Sequence, residues 1–201
     1  MKIGVLGAGN IGGTLGAKWA SQQHDVYFGV RDPGKAELVE KVAQMQGSVQ
    51  VGHSADAIAF ADVVVFAVPG AAVAPIVAEN KEQLAGKTII DASNNMRGET
   101  RHALNLLRET VPTASLYRAF STLGWENFAE PDFNGVKADL FYCGDAAAQG
   151  IVEQLIHDIG LEPVYVGDTD QVGLVEGMTN MWFNMALKQK RGRRIAFKLI
   201  S

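Results

Sequence analysis

Gly7, Gly9 and Gly12 form the spacing G-x-G-x-x-G inside GVLGAGNIGGTLG, residues 4–16, which holds six glycines in thirteen positions. Ordering glycine costs more backbone entropy than ordering any other residue, so a cluster this dense implies a task that side chains would obstruct. The stretch follows a short apolar run, KIGVLG at 2–7, and leads into NIGGTLGAKWASQQ at 10–23, where Ile11, Leu15 and Trp19 recur at helical spacing. A strand before and a helix after are the setting in which this spacing binds a dinucleotide. Gly7 would permit the tight turn, Gly9 would admit a diphosphate close to the backbone, and Gly12 would let helix pack on strand. The diphosphate would rest on unpaired amides at the positive end of the helix dipole. A glycine-rich turn without a ligand is the alternative, and the flanking elements argue against it.

The residues that close the second strand should select the dinucleotide. NAD binders usually place an acid there, about twenty residues on, to hold the adenosine ribose. In VYFGVRDP that slot aligns with Val30, which is apolar, and Arg31 follows. Arginine pairs with a 2′-phosphate and stacks on adenine, so NADP is favoured over NAD. Asp32 complicates the choice, because a register shift of two would put an acid in the slot. Arg31 as an ordinary solvated loop cation is the other reading.

Positioning such a site takes alternating strands and helices, and the chain supplies them. Strands are expected at 2–7, 25–30, 48–52, 62–69, 87–93, 114–120, 139–144 and 162–167. Helices are expected over 10–23, from Pro33 to about 46, at 54–61 with Ser54 as N-cap, over 71–84, 146–159 and 171–190. Residues 125–135 read as turn-rich. DVVVFAVP at 62–69 is continuously apolar, as a strand covered on both faces should be. The expectation is a Rossmann-type, doubly wound α/β fold with a mainly parallel sheet: a dinucleotide-binding domain over 1–167 and a small C-terminal helical appendage over 168–201.

Composition narrows the class. The chain has 201 residues, 47% apolar and 20% charged, enough to bury a core without disulfides or metals. A formal net charge of −4 gives no general pull toward nucleic acid or an anionic membrane. No apolar run approaches the roughly 20 residues of a bilayer span. The N-terminus reads straight into a strand, leaving no room for a signal peptide, so the expected compartment is the cytoplasm. Cys143 is the only cysteine, and its flanks, DLFYCGD, read as a buried strand end and an inert thiol. No metal site and no catalytic pair is expected. His24, His53, His102 and His157 fall in loops or helices, away from the strand C-terminal edge, and read as surface histidines.

IGVLGAGNIGG, FGVRDP, VVVFAVP, IIDASN, RAFSTLGWENF and CGDAAAQGIVEQLIHDIGLEPVYVGD together resemble the NADPH-dependent oxidoreductases of the deazaflavin coenzyme F420. That family is related to pyrroline carboxylate reductases and to the cytoplasmic domain of ferric reductases. The resemblance runs nearly the whole chain, and it implies NADP(H), a small-molecule redox acceptor (coenzyme F420 or a flavin) and a homodimer. It also implies hydride transfer between rings held face to face, which asks positioning of the protein rather than acid–base side chains. Matched residue by residue, Gly7, Asn10 and Ile11 would line the diphosphate loop, and Val30 and Arg31 the adenosine phosphate. Ala67, Val68 and Pro69 would line the end of the fourth strand, and Ser93 and Asn94 the nicotinamide. Pro69 as a plain strand terminator and Asn94 as a turn residue are the alternatives. Phe120, Ser121, Thr122 and Leu123 would wall the acceptor, with Met178, Met181 and Trp182 either joining that wall or serving only as core or dimer interface.

Six of the eleven residues in KQKRGRRIAFK, 188–198, are basic. They read more readily as a solvated helix end than as a subsite for an anionic substrate tail. Two other functions stand beside the leading one. Reduction of an imine or 3-hydroxy acid would need a large helical domain that the residues after Gly167 are too few to build. A nucleotide sensor without turnover would bind NADPH that no acceptor oxidises.

Overall fold

The computed structural model describes residues 1–96, 98 and 100–200; Ser201, the last residue of the expected appendage, lies outside them. The chain runs β1 (Lys2–Leu6), α1 (Asn10–Ser21), β2 (Asp25–Gly29), α2 (Ala36–Ala43), β3 (Ser48–Gly52), α3 (Ser54–Phe60), β4 (Val63–Phe66), α4 (Val73–Leu84) and β5 (Thr88–Asp91). It continues with α5 (Leu104–Thr110), β6 (Ser115–Arg118), α6 (Trp125–Ala129), the hairpin β7 (Asp132–Phe133) and β8 (Val136–Lys137), β9 (Asp139–Gly144), α7 (Gln149–Asp158), β10 (Glu162–Tyr165) and α8 (Val172–Phe183).

Eight strands form one sheet in the order β10-β9-β6-β5-β4-β1-β2-β3. The β6–β9 pair, with Tyr117 opposite Gly144 and Arg118 opposite Cys143, is antiparallel, and the other pairs are parallel. The chain builds outward from β1 through β2 to β3, then crosses to β4 on the other side. The strand order therefore reverses between β1 and β4, where sheets of this kind open a crevice at their carboxyl ends.

Side chains alternate faces along each strand and divide the core in two. Ile3 and Val5 of β1, Val63 and Val65 of β4 and Ile90 of β5 meet Leu15 and Trp19 of α1, Leu155 and Ile156 of α7, and Trp182 of α8. Leu6, Val64, Phe66 and Ile89 meet Ala57 and Ile58 of α3, Val73 and Val77 of α4, and Leu104 and Leu107 of α5. Trp19 also donates its indole N–H to the Leu155 carbonyl at 2.9 Å, tying α1 to α7. Residues 168–200 share the first core through Trp182 and Ala186.

Four local expectations are corrected. Pro33 does not open the second helix: Asp32–Lys35 forms a turn, closed by Lys35 N–H to Asp32 C=O at 3.4 Å, in which proline's fixed φ suits the second position. Ser54 lies inside α3, whose N-cap is His53, and Asp56 accepts the His53 backbone N–H at 3.1 Å. The fourth strand ends at Phe66, and Pro69 stands beyond it in a lone parallel bridge with Asn94. Helix α5 was not expected, because seven residues with two buried leucines are too short to show a period.

Candidate functional site

The three glycines of the first turn carry three separate loads. Gly7 has φ +99°, and a Cβ there would approach the Ala67 carbonyl oxygen at 2.6 Å. A Cβ on Gly12 would collide with the Gly7 carbonyl, so Gly12 is what lets α1 start close against β1. A Cβ on Gly9 would meet no heavy atom within 4 Å. Gly9 is thus spared by no internal neighbour, and the space above it is open. It is the N-cap of a helix that has no side-chain cap and no acid in its first turn, leaving its first amides for a ligand. A dinucleotide's diphosphate fits this cradle.

Two lobes meet at Gly9 and Asn10. One, of about 270 Å³, is walled by Gly9, Asn10, Ile11, Ala67, Val68, Pro69, Ala92 and Asn94, from the ends of β1, β4 and β5. The other, of about 390 Å³, is walled by Ala8, Gly9, Asn10, Val30, Asp32, Lys35, Glu37, Leu38 and Lys41, beyond the end of β2. Together they make a crevice across the sheet end, with the glycine turn at its middle. A larger hollow of about 490 Å³ lies behind α1, between Thr14, Lys18, Lys41 and Met45, and does not touch Gly9.

Gly7, Gly9, Asn10, Ile11, Gly12, Val30, Ala67, Val68, Pro69 and Asn94 are therefore brought together. Arg31 is exposed and is not part of the second lobe's wall, which takes Asp32, Lys35 and Lys41 instead. Lys35 is paired with Glu37 at 2.8 Å, both exposed. Lys41 reaches from α2 to α1, with its Nζ 2.6 Å from where a Cβ on Gly13 would stand.

The acceptor side departs from expectation. Phe120 is fully buried with φ +59°, and its ring packs edge-on against Trp19 and Phe128 at centroid distances of 5.6 and 6.0 Å. The left-handed backbone turns the ring under α1 instead of out over the strand ends. Ser121, Thr122 and Leu123 are buried too, with Ser121 Oγ accepting from Thr179 Oγ1 at 3.4 Å. Trp182 belongs to the core, donating its indole N–H to the Ile195 carbonyl at 2.9 Å, whereas Met181 is exposed.

Two histidines also differ from expectation. His24 is buried, with Nε2 2.7 Å from Asp158 Oδ2 and Nδ1 3.2 Å from the N-terminal amine, a tie between β2 and α7. His102 stands at the strand edge after all, sharing a small hollow with Ser93 and Asn95. Burial holds its imidazole below the usual range, with Glu176 opposing that shift. His53 and His157 are exposed. Cys143 is buried and its thiol is pushed up to about 12, as an inert core thiol should be.

The basic run divides: Lys188, Lys190 and Arg191 are exposed at and just beyond the last helical turn, as a solvated helix end would be, and the three cations after Gly192 are paired. Arg193 pairs with Glu126, Arg194 with Glu130, and Lys198 with Asp139, so the tail straps back over α6 and β9.

A polar cluster at the ends of β5 and β6 escaped sequence reasoning. Arg118 and Asp91, both fully buried, stand 3.5 Å apart, and Arg118 Nε donates to Glu176 Oε1 at 2.8 Å. Asp91 accepts from the Ser93 amide at 2.9 Å and from Ser93 Oγ at 2.6 Å, so Ser93 faces this cluster. The available signal was a lone charge closing each of two apolar strands, IID and LYR, since such residues are seldom buried unpaired.

Residues 2–95 match the family described as NADP oxidoreductase, coenzyme F420-dependent. Among solved structures, the chain is similar to one named as a candidate F420-dependent NADP reductase from Arthrobacter sp. FB24, with TM-score 0.87, 26% identity and 100% of both chains covered. A hypothetical protein from Sinorhizobium meliloti superposes with TM-score 0.73 at 26% identity, covering 100% of this chain and 96% of that one. A reductive aminase from Aspergillus terreus, in complex with NADPH and ethyl-5-oxohexanoate, shares the fold at 21% identity and TM-score 0.65, with 92% of this chain matching 64% of that one.

Proposed function

From a chain whose residues 2–95 carry the pattern of the coenzyme F420-dependent NADP oxidoreductases, we propose a cytoplasmic homodimer that moves hydride between NADP(H) and a flavin-like acceptor, coenzyme F420 before others. The observation that carries this reading is the open cradle over Gly9, at the meeting point of two lobes of one crevice. The amides that open α1 hold the diphosphate. Lys35 and Lys41 balance Asp32 and Glu37 on the wall of the second lobe, and Arg31, exposed and next to Asp32 in the chain, is the further cation that supports a 2′-phosphate there. The nicotinamide, when bound, supplies the hydride.

The chain's own contribution is placement. Ala67, Val68 and Pro69 offer an apolar wall along one side of the first lobe, which excludes water from the ring lying on it. Asn94 and Asn10 are the polar side chains among the residues that wall the same lobe. Because Phe120 through Leu123 are buried, the acceptor ring must approach across the open mouth of the lobe, stacked on the coenzyme. The homodimer is supported by an uncovered apolar face on α8, where Leu174 and Met181 are 56% and 43% exposed. Among the described residues no helix is long and apolar enough to cross a membrane.

Anaerobic stopped-flow mixing of NADPH-loaded protein with deazaflavin, FMN, FAD and ferric chelates tests the reading. Rapid NADPH oxidation by the deazaflavin, faster than by the other three, is expected. Oxidation by another acceptor alone would replace coenzyme F420, and binding without oxidation by any would make the chain a nucleotide sensor.

A further inference from the structure

Arg118 is 0% exposed, and its donors are spent on the stretch that leaves β5 for the crevice. Nη1 donates to the carbonyl oxygens of Asp91 at 3.1 Å and Ser93 at 2.5 Å. Nη2 donates to Asn94 Oδ1 at 3.2 Å. Nε is taken by Glu176 of α8. A guanidinium has no acceptor, so Asn94 must present its oxygen to Arg118 and keep its NH2 for the other side. Asn94 also walls the first lobe, where its backbone bridges Pro69.

We infer that Arg118 is a positioning residue for the redox end of the crevice: by occupying Asn94 Oδ1 it aims the Asn94 amide NH2 into the lobe as a donor for a carbonyl oxygen, the carboxamide oxygen of bound nicotinamide. The inference rests on the dinucleotide reading above. A donor at this point fixes which way the carboxamide turns, and so which face of the ring is offered to the acceptor. Glu176 extends the linkage into α8, so the terminal helix and the redox end are set by one buried cation. Glu176 Oε2 is itself buried without a partner, a cost that an ion pair present only for stability does not need to carry.

The test compares NADPH with 2′-phospho-ADP-ribose, the same dinucleotide lacking nicotinamide, by calorimetric titration of the full chain. Wild-type protein should bind NADPH more tightly than the fragment, and that ratio reports the redox end alone. Asn94→Asp, which replaces the donor by an acceptor, should shrink the ratio roughly two- to tenfold, the range of one hydrogen bond, and leave fragment affinity unchanged. Arg118→Lys should do the same, since lysine cannot hold the same set of oxygens, and Glu176→Gln should do so more weakly. Unchanged fragment affinity certifies the fold of each variant, and if Arg118→Lys does not fold, Glu176→Gln, which acts on Asn94 only through Arg118, decides. A ratio near one in the wild type, or a ratio that neither Arg118→Lys nor Glu176→Gln moves, overturns the inference while leaving dinucleotide binding intact. Failure of the wild type to bind either ligand overturns the dinucleotide reading, and the inference with it.

Discussion

Gly9 and Gly12 lie three residues apart, and side chains added at the two positions should do different damage. Gly9 has an ordinary φ of −70° and open space where its Cβ would stand. Gly9→Val should therefore cost about 1 kcal/mol of stability, the difference between a good and a poor N-cap, or roughly 2–4 °C in Tm. It should weaken NADPH by about a hundredfold or more, because the branched side chain fills the diphosphate cradle. Gly12→Ala drives a methyl group into the Gly7 carbonyl and should cost roughly 3 kcal/mol, about 6–12 °C. Thermal melts and coenzyme titration separate the two. A Gly9 variant with undiminished affinity would remove the loop from the site.

Elements here end where packing, more than pattern, stops them. The run 114–120 reads as one strand, yet β6 closes at Arg118, and the left-handed backbone at Phe120 sends its ring into the core. The strand-edge rule locates backbone, and it does not say where the next side chain goes. The C-terminal strap shows the same point. Asn127, fully buried in α6, donates its amide to the carbonyls of Arg193 at 3.1 Å and Ile195 at 3.2 Å, and Ile195 also receives the Trp182 indole. Asn127→Ala strips both bonds and should cost about 2 kcal/mol, lowering Tm by roughly 4–8 °C. Trypsin should then cut after Arg193 or Arg194 well before it cuts the native chain. Equal cleavage rates would show that the strap holds without Asn127.

At the scale of the whole molecule, one sheet covered on both faces leaves its carboxyl edge as the crevice and α8 as the element with apolar surface to spare. Leu174, Met181 and Leu187, in α8 and the turn after it, are 56%, 43% and 48% exposed, more than isolated surface residues need explain. Light scattering of the wild type is expected to give twice the chain mass. The double substitution Leu174→Glu with Met181→Glu should give the single-chain mass, since carboxylates at a dry interface are not tolerated. A wild-type monomer at micromolar concentration would remove the homodimer.

The sequence by itself determined the strand–helix alternation, the doubly wound class, the glycine turn that opens α1 and most of the crevice wall. Each of these is enforced locally: a period of two or 3.6, a residue that must have φ above zero, or an apolar strand followed by glycine. Only the tertiary structure decided that Arg31 lies off the wall where Lys41 lies on it, that Phe120 belongs to the core, and that Arg118, Asp91 and Glu176 form one cluster. Asp91 and Arg118 become partners because β5 and β6 are neighbours, and Glu176 joins them because α8 folds back over that edge. The partner of a buried charge depends on which strands lie side by side, and that adjacency exists only after the chain has closed on itself.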